Sequence, residues 1–243
     1  MKALIDGDTI AYAPATSAEG AEGWVATSRV DNMLNSILDR ISPSEYVIYV
    51  SGGHNFRKDI DPTYKAQRPP SPEHRILCHQ YLIDRWGAIE TDGYEADDAV
   101  GCAQKNDTVI VGIDKDLLQI PGKHYQWEIR RKGVVVKEER WLDVSPEEGM
   151  RSFFKQMLTG DVSDNIIGIK GIGPVKAAKI IEDCSTEEEM YDTVRFFYQS
   201  SLMNTNEEIE DNVERFNRNL NLLWIWRELG ITYTIRREMY GTN

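Results

Sequence analysis

Residues 92–118 read DGYEADDAVGCAQKNDTVIVGIDKDLL. Gly93 marks a tight turn, the composition of 94–105 predicts a helix beginning near Glu95, and Thr108 to Ile113 is a continuous β-branched run expected of a strand covered on both faces. Glu95, Asp97 and Asp98 stand at the start of that helix, and Asp114 and Asp116 follow the strand. A helix and strand packed together bring the two acidic groups to one edge of a sheet. Carboxylates gathered there raise one another's pKa and repel, unless cations neutralise them. A hard divalent metal is therefore the first reading. The alternative is that one group decorates a helix N-terminus, where the dipole favours acids, and the other a loop.

Working outward, MKALIDGDTIAY at 1–12 predicts a strand at Lys2–Ile5 ending in Asp6, Gly7 and Asp8, where an open parallel sheet places its ligands. Residues 14–24, rich in Ala, Gly and small polar types, read as a surface loop. From Thr27 to Ile41 the apolar positions Val30, Met33, Leu34, Ile37, Leu38 and Ile41 recur at helical spacing. Tyr46–Val50 is a second covered strand, ending in Ser51-Gly52-Gly53 rather than in an acid.

FRKDIDPTYKAQRPPSPEHR at 56–75 differs in character, interleaving Arg57, Lys58, Lys65, Arg68 and Arg75 with Phe56 and Tyr64 among prolines. Basic groups beside aromatic surfaces hold a phosphate backbone and stack bases; an irregular solvated loop is the plainer alternative. Residues 73–87 are amphipathic. The stretch 123–142 suggests a hairpin turning at Lys132-Gly133, whose Arg130, Arg131 and Lys132 can touch a polyanion or simply face water. A helix starts near Pro146, with Phe153, Phe154, Met157 and Leu158 as core contacts.

The run LTGDVSDNIIGIKGIGPVKAAKII at 158–181 is the most informative short one. On a helical turn, Asp161 and Asp164 would share a side. The glycines at 168, 171 and 173 precede a helix whose N-terminus, with Lys176 nearby, can cradle a phosphate. No GxxxxGK[ST] pattern follows a strand, so a nucleotide P-loop fits poorly. In the tail, 183–199 and Ile209–Leu229 read as helical, Trp224 and Trp226 as structural, and Ile231–Ile235 as extended.

The bulk properties set limits. With 28 basic and 40 acidic residues among 243, the net charge of -12 argues against a broadly basic nucleic-acid coat, though not against a local basic groove. Cys78, Cys102 and Cys184 have no metal or redox spacing, which fits a reducing, cytoplasmic compartment. No leader or long apolar span is evident, so a soluble protein away from membranes is expected. The four histidines are scattered without partner spacing.

Asp6 after the first strand, YKAQR at 64–68, YEADDAV at 94–100, GIDKDLLQI at 112–120 and GDVSDNIIGIKGIGPVKAA at 160–178 together resemble the structure-specific 5′-nuclease, or flap endonuclease, superfamily. They look most like its bacteriophage exonucleases and the 5′→3′ exonuclease domain of bacterial DNA polymerase I. The resemblance covers about residues 1–182 in order. It implies an α/β fold: a PIN-like core with a mostly parallel sheet flanked by helices over 1–145, with an arch at about 56–80. A helical module over 146–243 would hold a helix-three-turn-helix DNA-binding unit at about 160–182 and a tail packing back on the core.

The same resemblance implies two divalent ions, Mg²⁺ with Mn²⁺ as substitute, held by Asp6, Glu95, Asp97, Asp98, Asp114, Asp116, Asp161 and Asp164, with Asp116 near both. Lys65 and Arg68 would act on the scissile phosphate. Arg57, Lys58, Tyr64, Arg75, Gly168, Gly171, Gly173 and Lys176 would contact DNA, with K⁺ at the glycine turn. The implied activity is 5′→3′ exonuclease and flap endonuclease hydrolysis of DNA bearing a 5′ end, flap or nick, leaving 5′-phosphate and 3′-hydroxyl ends. The implied setting is DNA replication and repair in a bacterial or phage-infected cell, by a monomer working beside replication proteins. Ser51 departs from the pattern, since many relatives place another Asp there. Alternatives are a DNA-binding homologue without catalysis, a metal-dependent ribonuclease or phosphatase of related core, and a polymerase accessory subunit.

Overall fold

The computed structural model describes residues 1–131, 133–200 and 212–233. The chain begins with β1 (Lys2–Asp6), α1 (Gly7–Ser17), α2 (Gly23–Ile41) and β2 (Glu45–Asn55). It continues with α3 (Phe56–Ile60), α4 (Arg75–Trp86), β3 (Ile89–Gly93), α5 (Ala96–Ala103) and β4 (Thr108–Val111). After a 3-10 turn at Asp116–Gln119 come β5 (Gly122–Gln126), β6 (Ile129–Arg131), β7 (Val134–Lys137) and β8 (Arg140–Val144). The remainder is α6 (Pro146–Thr159), β9 (Gly160–Asp161), β10 (Ile166–Ile167), α7 (Pro174–Ile180), α8 (Glu187–Ser200) and α9 (Asn212–Leu223).

The main sheet has the order β3-β2-β1-β4-β5-β8. Its first five strands run parallel and β8 closes the edge antiparallel to β5. The expected mostly parallel sheet flanked by helices is thus observed. Strand residues alternate between two cores, as the period of two requires. Ala3, Ile5, Val109 and Val111 face the layer of α1, α2 and α4, while Leu4 and Ile110 face Val100, Leu117, Ile120 and Ile225. The strand order reverses between β1 and β4, the crevice where open α/β sheets bind ligands. The predicted hairpin is present as β6 and β7, inserted between β5 and β8.

Several expectations are corrected. The supposed loop at 14–24 is helical through Ser17, and α2 begins at Gly23, leaving only 18–22 between them. Burial of Ala11, Pro14, Ala15 and Ala18 on the sheet outweighs the amide that Pro14 lacks. Short β3 was not foreseen, and β2 runs on through Ser51 to Asn55. Asp161 and Asp164 do not share a helical turn: Asp161 pairs with Ile166 across a tight turn holding Asp164. The tail helix covers Asn212–Leu223; 224–229 lie outside regular structure, as do 231–233, and 209–211, 234–235 and Lys132 fall outside the described residues.

A third core joins Phe153, Phe154, Met157 and Leu158 of α6 to Ala177, Val194, Tyr198, Phe216 and Leu220, together with Tyr64 from the 56–75 segment. α6 starts with a capping box, Ser145 Oγ accepting from Glu148 N and Glu148 accepting from Ser145 N. Between α6 and α7 the chain folds as the β9–β10 pair followed by the glycine turn. Gly160 has φ +70°, and a Cβ on Gly168 would strike the Gly160 amide, so the two strands approach too closely for side chains. Among the described residues, no helix is long and apolar enough to cross a membrane.

Candidate active site

Asp6 ends β1 and caps α1, its Oδ1 accepting from Asp8 N (3.0 Å) and its Oδ2 from Thr9 Oγ1 (2.7 Å). A Cβ on Gly112 would meet Asp6 Cβ at 3.3 Å and Leu117 at 2.5 Å, so only glycine lets the end of β4 run this near β1. That approach carries Asp114 towards Asp6. Asp116 N then donates to Asp114 Oδ1 (2.9 Å), which turns the Asp116 carboxylate back into the cleft. Glu95 precedes the first residue of α5 as expected, and Asp97 lies in that helix's first turn.

A cleft of about 150 Å³ is lined by Glu95, Asp97, Asp114, Asp116, Asp161 and Asp164, with Lys65, Arg68 and Lys115 among them. The predicted carboxylates from three distant stretches therefore converge, and Asp6 lies close enough to act electrostatically on Asp97. Side-chain cations already stand among them. Lys65 donates to Glu95 and Arg68 to Asp164, while Lys115 Nζ lies 2.8 Å from Asp161 Oδ2 and 3.8 Å from Asp116 Oδ1. Gln156 Nε2 donates to Asp116 Oδ1 (2.9 Å) and lies 3.2 Å from Asp161 Oδ2. With the lysines and arginine so placed, no three Asp, Glu, His or Cys side chains among the described residues form a ready-made cation cage.

The charge is nevertheless unbalanced. Burial, then the carboxylates of Asp8 and Asp114, push Asp6 up to about 7 against the Thr9 hydroxyl. Burial and then Asp114 push Asp116 up to about 7. Burial, Asp6, Asp114 and Glu95 hold Asp97 well above the carboxylate range. Glu95 goes the other way: burial opposes its ionisation, but Lys65 and Arg57 lower its pKa. Asp161 is likewise opposed by burial, yet Lys115 and Ser163 hold it at about 2. An all-oxygen donor set with surplus negative charge fits divalent cations.

This sets a pH dependence. Asp6, Asp97 and Asp116 have folded pKa values above the ordinary 3.8, so their contribution to stability is present below that value and lost as pH rises through the raised values, about 7 for Asp6 and Asp116. Without divalent metal, thermal unfolding is expected at lower temperature near about pH 8 than near about pH 5, and added Mg²⁺ should restore stability at the higher pH. Calorimetry in chelator checks this; a melting temperature that rises over that interval without metal counts against it.

Four expected site residues are held by protein partners, two of them, Arg57 and Tyr64, in the wall of the cleft. Asp98 is fully buried and binds Arg57 through both oxygens, Nη1 to Oδ2 at 2.6 Å and Nη2 to Oδ1 at 2.9 Å. It also accepts from Glu95 N (3.1 Å) and Trp226 N (3.0 Å), so no lone pair is directed at the cleft. Arg57, expected on DNA, is buried in that pair and donates to the Leu222 and Trp224 carbonyls, each at 2.8 Å. Tyr64, expected to contact DNA, is buried with its hydroxyl 2.8 Å from Glu95 Oε2 and 2.9 Å from Asp164 Oδ2. Arg75 is turned to Asp8 at 3.1 Å.

Lys58, Lys176, Gly171 and Gly173 are exposed, and nothing lies within 4 Å of a Cβ built on either glycine. Sequence reasoning missed Lys115, Gln156 and the 222–225 segment, which also line the cleft. Lys115 had a signal, since it sits between two acids; Gln156 had none, being one polar position of an amphipathic helix.

The description "5′-3′ exonuclease, N-terminal resolvase-like domain" fits residues 2–144 of this chain. DNA polymerase I of Rhizobium leguminosarum is 35% identical over 152 residues, which are 56% of this chain and 15% of that protein, so the chain spans a small part of that relative. Among solved structures, the bacteriophage T5 5′-exonuclease with bound zinc ions has a TM-score of 0.63 at 17% identity, covering 92% of this chain and 89% of that one. The bacteriophage T5 flap endonuclease in a pseudo-enzyme–product complex with DNA and metal ions has a TM-score of 0.62 at 17% identity, covering 91% and 88%. At such identity the likeness is one of fold, and it extends beyond the sheet to the helical part. Because the family match takes in more than half of the chain, including the acidic ends of β1 and β4 and the cap of α5, the protein belongs to the 5′-3′ exonuclease family.

Proposed function

We propose that this chain is a Mg²⁺-dependent 5′→3′ exonuclease and flap endonuclease, acting on DNA with a 5′ end, flap or nick and leaving 5′-phosphate and 3′-hydroxyl ends. The observation that carries this reading is the convergence of Glu95, Asp97, Asp114, Asp116, Asp161 and Asp164 in one cleft whose wall holds Lys65 and Arg68. Glu95, Asp97, Asp114 and Asp116, with Asp6, would hold one ion, and Asp116, Asp161 and Asp164 would hold the other. Two divalent ions held by these residues would supply an acidified water as nucleophile at neutral pH and charge neutralisation on the leaving oxygen, with Mn²⁺ able to substitute.

The protein's own groups do the positioning. Lys65 and Arg68 line the cleft, their segment pinned by Lys65 N donating to Asp164 O at 2.9 Å. From there they can turn from their carboxylates to the scissile phosphate and orient it. Gln156 sets the Asp116 carboxylate, and Tyr64 bridges Glu95 to Asp164, tying the two halves of the acidic set together. Residues 56–80 would form the gateway for a single-stranded 5′ end. The α6–α7 pair with the open backbone at Gly171 and Gly173 would act as a helix-three-turn-helix unit, gripping duplex phosphates with Lys176 and a bound K⁺. A monomer in the cytoplasm of a bacterial or phage-infected cell, working beside replication proteins, is the setting this reading implies.

End-labelled double-flap, nicked-duplex and single-stranded DNA, each incubated with Mg²⁺ or EDTA, test the assignment. Metal-dependent release of products from the 5′ side, longest on flaps, supports it. Tight DNA binding with no cleavage under Mg²⁺ or Mn²⁺ would leave a binding protein in its place.

A further inference from the structure

We propose that Asp8 supplies to the cation site the carboxylate that β2 lacks, reaching it from the first turn of α1. The inference rests on the metal-dependent reading above. Adjacent strands β1 and β4 bring Asp6 and Asp114 to the cleft edge, whereas β2, on the other side of β1, arrives there with Ser51. Ser51 is uncharged, and its hydroxyl is already committed, accepting from Ala96 N at 2.9 Å and so holding the start of α5.

Asp8 lies over that spot. Its Oδ1 accepts from the backbone N–H of Ser51 at 3.1 Å, while its own N–H donates to Asp6 Oδ1 at 3.0 Å. One hydrogen bond therefore holds the Asp8 carboxylate on β2 at Ser51, and the other ties the Asp8 main chain to Asp6. A cation is already bound there: Arg75 Nη2 stands 3.1 Å from the same Oδ1. Asp8 is about one-third exposed, so an ion entering the cleft can replace the guanidinium. An aspartate at 51 would bring a carboxylate in from the strand beside the start of α5, where the Ser51 hydroxyl now accepts from Ala96 N, which makes positions 8 and 51 neighbouring sources of one negative charge. The rival view is that Asp8 only favours the α1 dipole and pairs with Arg75.

Titration of the full chain with Mn²⁺ in the absence of DNA, followed by electron paramagnetic resonance of the free ion, separates the two. Replacing Asp8→Asn should weaken one class of bound ion about tenfold, and adding Ser51→Asp to that variant should restore most of the loss. Asp39→Asn, an exposed acid on α2, serves as the control for net charge and should bind as the parent does. A folded Asp8→Asn protein with parental affinity overturns the proposal, as does a loss that Ser51→Asp fails to recover. A parent chain that binds no Mn²⁺ would instead overturn the metal-dependent reading beneath it.

Discussion

Asp116→Ala is expected to lower the single-turnover rate of 5′ cleavage by about a thousandfold or more while leaving the protein folded. Asp116 is the joint between the two acidic groups. Its amide binds Asp114, its carboxylate accepts from Gln156, and Lys115 lies 3.8 Å away. Burial and Asp114 raise its pKa to about 7, the signature of a charge held where side-chain cations do not fully compensate it. Alanine would remove a carboxylate shared by both proposed ion positions. The fold should tolerate the loss, because the side chain is about one-fifth exposed and Gln156 keeps Gln119 as a partner. Rapid-quench kinetics with saturating enzyme, beside a circular-dichroism melt, measures both. A folded variant cleaving within a few-fold of the parent would remove Asp116 from the chemistry.

The second large effect is on stability. Arg57→Ala should destabilise the protein by about 3–5 kcal/mol, because it leaves the Asp98 carboxylate buried without its counter-charge. The pair is the point where the 56–75 segment, the cap of α5 and the returning 222–226 segment meet. Burial opposes the guanidinium's charge, and Asp98 and Glu95 more than offset it. Phe56 stacks on Trp226 beside the pair, with ring centroids 4.6 Å apart and planes 13° from parallel. Urea unfolding gives the cost. Replacing both members together, Arg57→Met with Asp98→Leu, should recover only part of it, since the uncompensated charge is gone but the Leu222 and Trp224 carbonyls and the Glu95 and Trp226 amides lose their partners. If Arg57→Ala unfolds within about 1 kcal/mol of the parent, the buried pair is not what joins these segments.

Much of this arrangement is legible in the chain itself. Strands such as Thr108–Val111 show as unbroken apolar runs because parallel strands are covered on both faces, and the cap at Glu95 shows as acids placed before a helix. Most carboxylates of the cleft follow from those elements, since they sit near a strand end or a helix start; Asp164, in the tight turn between β9 and β10, does not. The direction of a side chain between distant segments does not follow. Arg57 and Asp98 are 41 residues apart, and nothing in a basic, aromatic stretch shows that its first arginine turns inward while Lys58 stays out. Asp98 reads as a ligand because it shares a motif with Asp97, yet successive helix residues point about 100° apart, which sends Asp97 to the cleft and Asp98 to Arg57. Helix α1 is hidden by Pro14 and a run of small residues, and its packing against α2, α4 and β2 explains it. Ser51 can be read as a departure, but its meeting with Asp8 needs the register of β1 and β2.

The most direct test of the central claim is the rate of product release from a 5′-labelled flap substrate as Mg²⁺ is titrated into the metal-free protein. The account predicts no cleavage in chelator and a rate that rises with Mg²⁺ to a plateau, with product appearing from the 5′ side. Cleavage that persists in EDTA, or DNA that binds but stays intact at every Mg²⁺ concentration, would contradict it.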